Sequence, residues 1–104
     1  MVGNFKRLVT GEALSPASKA QLTEWMVGCK TGANRLRGGL PAAWKIGDKT
    51  GNNGKDASGD IAVAWSKPDT PILIAAYTQG GTPNPAQLEA VFARIGRMVA
   101  EKLV

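Results

Sequence analysis

The stretch Trp44-Lys45-Ile46-Gly47-Asp48-Lys49-Thr50-Gly51 decides how the chain is read. Apolar and polar residues alternate through Trp44–Asp48, as they do along a β-strand with one buried face. Lys49-Thr50-Gly51 then sets an ammonium and a hydroxyl at the strand's end, and the glycine lets a ligand lie close against the backbone. Such an end suits a carboxylate. The ammonium supplies charge, the hydroxyl a hydrogen bond, and the next backbone N–H, at Asn52, can point at a developing oxyanion. The same tripeptide recurs as Lys30-Thr31-Gly32, so the three letters alone identify no site.

The surroundings of the two copies differ. Upstream, residues 3–9 read as the tail of a helix halted at Thr10-Gly11. A second helix starts at Ser15-Pro16, where serine can cap free N–H groups and proline suits the first helical position. Leu22, Trp25, Met26 and Cys29 are expected to form its buried face, and Gly28 and Gly32 to help end it. The first Lys-Thr-Gly then falls in a helix C-terminal turn, where lysine complements the helix dipole and no ligand is needed to explain it. Residues 33–37 predict a short helical turn before Gly38-Gly39-Leu40-Pro41.

Downstream of that turn, strands are expected near 43–50, 60–66 and 71–78. Their connections, Asn52-Asn53-Gly54-Lys55-Asp56 and Lys67-Pro68-Asp69-Thr70, are short and turn-rich, so the strands form an antiparallel meander. Pro71–Tyr77 is almost entirely apolar and reads as buried on both faces. A last helix opens with Asn84 as cap, Pro85 and Gln87 in a variant capping box. Leu88, Val91, Phe92, Ile95, Val99 and Leu103 make its apolar stripe. The fold class is therefore α+β: helix, three-stranded antiparallel meander and C-terminal helix, in a single unit over 1–104 with no internal boundary.

Composition narrows the function. A chain of 104 residues with 43% hydrophobic content fits one small domain or one piece of a larger one. Thirteen basic residues against eight acidic give a net charge of +5 and a pI near 9.7. The basic residues are scattered and not interleaved with aromatics, which reads as a solvated surface and not as a nucleic-acid interface. Histidine is absent, removing the commonest general base and transition-metal ligand. Cys29 is the single cysteine, placed as a small buried hydrophobe, and Asp56 and Asp60 read as acidic neighbours solvating a loop. A phosphate loop is excluded because Cys29 and Asp48 stand where glycine must precede Lys-Thr. No stretch approaches the roughly 20 apolar residues of a membrane span, and Met1–Arg7 lacks the apolar core of an export signal. No cofactor, metal, membrane or nucleic-acid partner is expected.

Leu40-Pro41-Ala42-Ala43-Trp44-Lys45-Ile46-Gly47-Asp48-Lys49-Thr50-Gly51 resembles the strand and third signature motif of class A serine β-lactamases. The resemblance extends upstream through Thr10-Gly11-Glu12-Ala13-Leu14-Ser15, Gln21-Leu22 and Trp25-Met26. Downstream it includes Asp60-Ile61-Ala62-Val63-Ala64-Trp65, Pro71–Thr78 and the last helix, so nearly the whole chain is covered in the right order. It implies a partial β-lactamase/transpeptidase-like fold. It also implies that Lys49 acts electrostatically, that Thr50 and Gly51 bind substrate, and that the Asn52 backbone N–H is one oxyanion-hole donor. Arg35 falls where some members place an arginine that holds the substrate carboxylate. Others carry that arginine on the neighbouring strand, at the position of Ser58 here.

The family's Ser-x-x-Lys is missing, since Ser15, Ser18, Ser58 and Ser66 all lack a lysine three positions on. Ser-Asp-Asn and the glutamate used for deacylation are missing too. The resemblance therefore implies a C-terminal portion of a β-lactam-hydrolysing enzyme, inactive by itself and without its nucleophile. Its partners would be a β-lactam and either the complementary N-terminal portion or a second copy across an exposed sheet edge near 71–78. Full-length members are periplasmic or secreted. The alternative is a non-catalytic basic binding or interaction module derived from that fold.

Overall fold

Side-chain caps open two of the helices. In the computed structural model, which describes residues 1–102, the order is α1 (Val2–Val9), α2 (Pro16–Val27), α3 (Leu36–Gly39), β1 (Lys45–Asn52), β2 (Ala57–Lys67), β3 (Thr70–Gln79) and α4 (Pro85–Lys102). Ser15 Oγ accepts from the Ser18 N–H at 3.2 Å, opening α2. At α4 the capping box is complete: Gln87 N–H donates to Asn84 Oδ1 and Asn84 N–H donates to Gln87 Oε1, both at 2.9 Å. The short helix expected over 33–37 forms slightly later, at Leu36–Gly39.

The strands make an antiparallel sheet in the order β1-β2-β3. Lys45 lies opposite Trp65 and Asn52 opposite Ser58, while Ala57 lies opposite Gln79, with a register shift between Trp65 and Lys67. Because side chains alternate along a strand, this register sorts residues cleanly onto two faces. Ile46, Ala62, Ala64 and Ile74 pack with Leu36, Leu40 and Phe92 on the face covered by α3 and α4. Val63 packs with Phe5, Val9 and Met26 on the face covered by α1 and α2, with Ile61, Trp65 and Leu73 half-buried beside them. Contact between α3 and α4 depends on glycine: a Cβ on Gly39 would run into the Ala93 carbonyl, and one on Gly96 into the Leu36 carbonyl.

Several expectations of burial are corrected. Trp25 is 68% exposed, because Leu22 and Met26, four residues apart, turn the inner face of α2 towards α1 and the sheet and leave Trp25 beside it. Val91 is likewise exposed on α4, whose inner line runs through Phe92, Ile95 and Val99; Leu103 lies outside the described residues. Pro71–Tyr77 is not buried on both faces, since only Ile74 is buried and Tyr77 is 60% exposed. The reason is position: β3 ends the sheet and pairs with β2 alone. Cys29 is half-buried and touches the Thr31 hydroxyl instead of joining the core. Asp60 solvates no loop; it is 1% exposed.

The accessible surface is 6575 Å², against about 5,600 Å² for a folded monomer of this mass. Met1, Val2, Leu8, Trp25, Tyr77, Val91 and Met98 are large apolar residues left exposed. Among the described residues, no helix is long and apolar enough to cross a membrane, and no group of three metal-ligating side chains occurs.

Candidate functional site

The β1 end is built by register. Asn53 N–H donates to Ala57 O at 3.1 Å, which makes Asn53–Ala57 a hydrogen-bonded pair in the antiparallel alternation. One residue back, Asn52 and Ser58 form a non-bonded pair, so the N–H and C=O of Asn52 point away from β2 towards the open edge of the sheet. Thr50 and Asp48 share that parity. Lys49 is exposed, and its Nζ donates to the outward Thr50 carbonyl at 2.9 Å. Lys49, Thr50, Gly51 and Asn52 line one groove of about 420 Å³, closed on the other side by Ser58, Gly59, Ile61 and Tyr77. The four residues expected at a site are therefore brought together.

Arg35 stands apart from the other four. It lines an adjoining groove with Asn52, Ser58 and Glu89. Its Nη1 donates to the Gly59 carbonyl at 2.7 Å, and its guanidinium lies 5.3 Å from the centre of the Phe92 ring. These contacts hold the charge against the end of β2, one groove away from Lys49, with Asn52 and Ser58 common to both.

The first Lys-Thr-Gly copy proves to be part of the same place. Thr31 Oγ1 and Thr50 Oγ1 are 2.8 Å apart, and Cys29 Sγ lies 3.4 Å from Thr31 Oγ1. Gly32 makes the approach possible, because a Cβ there would collide with Asp48 Oδ2. The second copy lies at its strand end as expected. The first lies beyond α2, which ends at Val27 with Gly28 as its cap, and not in the helix's last turn. Only the tertiary fold brings this connecting turn to the end of β1.

Beneath the hydroxyls lies a buried acid pair. Arg37 Nη2 donates to Asp48 Oδ1 at 2.9 Å and reaches the Met26 and Val27 carbonyls at 3.4 Å, tying the C-terminus of α2 to β1. Asp60 Oδ2 accepts from Leu36 N–H at 3.1 Å. Asp48 Oδ2 and Asp60 Oδ1 are buried with no hydrogen-bond partner among the described residues, which leaves both oxygens desolvated. Burial pushes the Asp60 carboxyl up to about 8; charge repulsion from Asp48 adds to the rise, while Leu36 N–H and Arg35 oppose it. The pair was legible in part, since Asp48 and Asp60 sit in phase with Ile46, Ala62 and Ala64 on the inner face.

Comparison with known proteins matches residues 1–103 to a family described as the β-lactamase enzyme family. β-Lactamase L2 of Stenotrophomonas maltophilia is 41% identical over 105 residues, covering 100% of this chain and 34% of that protein. A β-lactamase of Mycobacterium tuberculosis is 41% identical over 98 residues, covering 92% of this chain and 32% of its own length. Among solved structures, a β-lactamase from Xanthomonas campestris pv. campestris superposes with a TM-score of 0.93 at 42% identity, over 100% of this chain and 39% of that one. An ancestral class A β-lactamase gives 0.91 at 44% identity, over 97% and 39%. The chain thus spans about a third of the length of the curated relatives it matches.

Proposed function

The chain belongs to the β-lactamase enzyme family, in its class A branch, and from that premise we propose that it forms the substrate-binding wall of a β-lactam-hydrolysing site. Lys49 provides positive charge beside the scissile lactam. Thr50 donates its hydroxyl to the substrate carboxylate, Gly51 lets the substrate lie along the strand edge, and Arg35 adds a second positive charge from the adjoining groove. The Asn52 N–H polarises the lactam carbonyl as it becomes tetrahedral. The observation that carries this reading is the open β1 edge, on which Asn52 faces outward beside the Thr50 and Thr31 hydroxyls.

The reaction of such a site is acylation of a serine followed by hydrolysis of the acyl-enzyme. No serine here has a lysine three positions on, so the nucleophile and the deacylating glutamate belong to the remaining portion of the fold, which acts in the periplasm or outside the cell. That portion is the partner we assign to the exposed apolar surface and to the unpaired edge of β3; failing it, a second copy occupies the edge.

A titration of the chain with benzylpenicillin, read by chemical-shift changes in its NMR spectrum, tests the reading. Shifts centred on Thr50, Gly51 and Asn52 that vanish in Lys49→Ala and weaken in Arg35→Ala, with the fold intact, are expected. Salt-sensitive binding to an oligonucleotide that ignores both substitutions would replace it with a basic binding module.

A further inference from the structure

Thr50 is assigned to the ligand, yet its hydroxyl already has a neighbour. Each threonine hydroxyl has one proton and two lone pairs, so at 2.8 Å the pair spends one proton between its members and keeps one free. Which member keeps the free proton decides whether Thr50 can donate outward. The neighbour on the far side of Thr31 is Cys29 Sγ, at 3.4 Å. With the thiol donating to Thr31 and Thr31 donating to Thr50, every proton runs in one direction and the free one lies on Thr50. Hydrogen bonds aligned in this way strengthen one another.

The segment that carries Thr31 is fixed for this task. Gly32 is buried against Asp48, the residue two before Thr50. Arg37 joins Asp48 to the last carbonyls of α2, immediately before Cys29-Lys30-Thr31. Two sides of Thr31 are therefore anchored to the strand that carries Thr50.

We propose that Thr31 is a positioning residue for the carboxylate site, its hydroxyl holding the Thr50 proton towards an anionic ligand group. The inference rests on the reading of the Lys49-Thr50-Gly51 edge given above. It makes the first tripeptide copy a working part of the second.

The test compares benzylpenicillin with its methyl ester, which keeps the lactam and removes the anionic oxygen pair. Binding to the chain is followed at the Thr50, Gly51 and Asn52 amides. Wild type is expected to prefer the free acid, and Lys49→Ala to lose that preference. Thr31→Val is expected to weaken the acid by about tenfold, the worth of one hydrogen bond to a charged group, while leaving the ester unchanged. Thr31→Ser, which keeps the hydroxyl, restores the preference. Thr31→Ala serves as the second deletion should the valine branch disturb folding. A Thr31→Val or Thr31→Ala chain that prefers the acid as wild type does overturns the role of Thr31 and leaves the function proposed for Lys49 standing. A wild type that does not distinguish acid from ester overturns both.

Discussion

On one face of the sheet Phe92, Leu36, Ala62 and Ala64 have no exposure, whereas on the other Tyr77 is 60% exposed beside Gly59 and Trp25 stands 68% exposed on the covering helix. The first face is sealed by α3 and α4, whose backbones meet across Gly39 and Gly96. The second is covered by α1 and α2 over part of its length and opens into a groove where Lys49, Gly51, Ile61 and Tyr77 meet. One face is thus a finished core. The other is left open, is the surface we assign to a further part of the fold, and carries the proposed site at its margin.

Substitutions should separate the two faces by the size of their effects. Phe92→Ala removes the largest fully buried side chain and is expected to destabilise by about 3–5 kcal/mol, abolishing a cooperative urea transition. Arg37→Ala strips the ion pair from Asp48, whose side chain has no exposure; a loss of about 3 kcal/mol in the same titration is expected. Retained stability in Phe92→Ala would mean that the α3–α4 face is not the structural core, and in Arg37→Ala that the ion pair with Asp48 does not hold α2 to β1.

The acid pair predicts a pH dependence of known sign. The Asp60 carboxyl is held at about 8 in the folded chain, above its value of about 4 when unfolded. Its contribution is therefore fully present below about pH 4 and lost as pH rises through about 8. Thermal unfolding followed between those limits should show stability falling with pH, and Asp60→Asn should flatten that dependence. A slope of opposite sign would mean that burial does not hold the Asp60 carboxyl above its unfolded value.

Trp25→Ser on the open side is expected to change monomer stability by no more than about 0.5 kcal/mol, the usual range for an exposed position. A large loss of stability would place Trp25 in the core after all.

The element order and the antiparallel meander could be read from alternation, turn residues and caps, because each of these signals is local: Ser15-Pro16, Asn84-Pro85 and Lys67–Thr70 carry their own chemistry. Burial was read less well. Trp25, Val91 and Tyr77 look like core residues by type and spacing, but what covers them is a tertiary matter. Lys49, Thr50, Gly51 and Asn52 were legible because consecutive residues at one strand end must share a neighbourhood. Thr31 was not, since residues 19 apart meet only after α2 docks on β1. Arg37 was passed over for Arg35, two residues earlier, although it holds the strand beneath the site.

Hydrolysis of a chromogenic cephalosporin by the purified chain, with Lys49→Ala alongside, tests the central claim most directly. A binding wall without a nucleophile predicts no turnover above buffer for either protein. Turnover by the wild type that Lys49→Ala abolishes would mean that a hydroxyl within these 104 residues attacks the lactam, and would contradict the account.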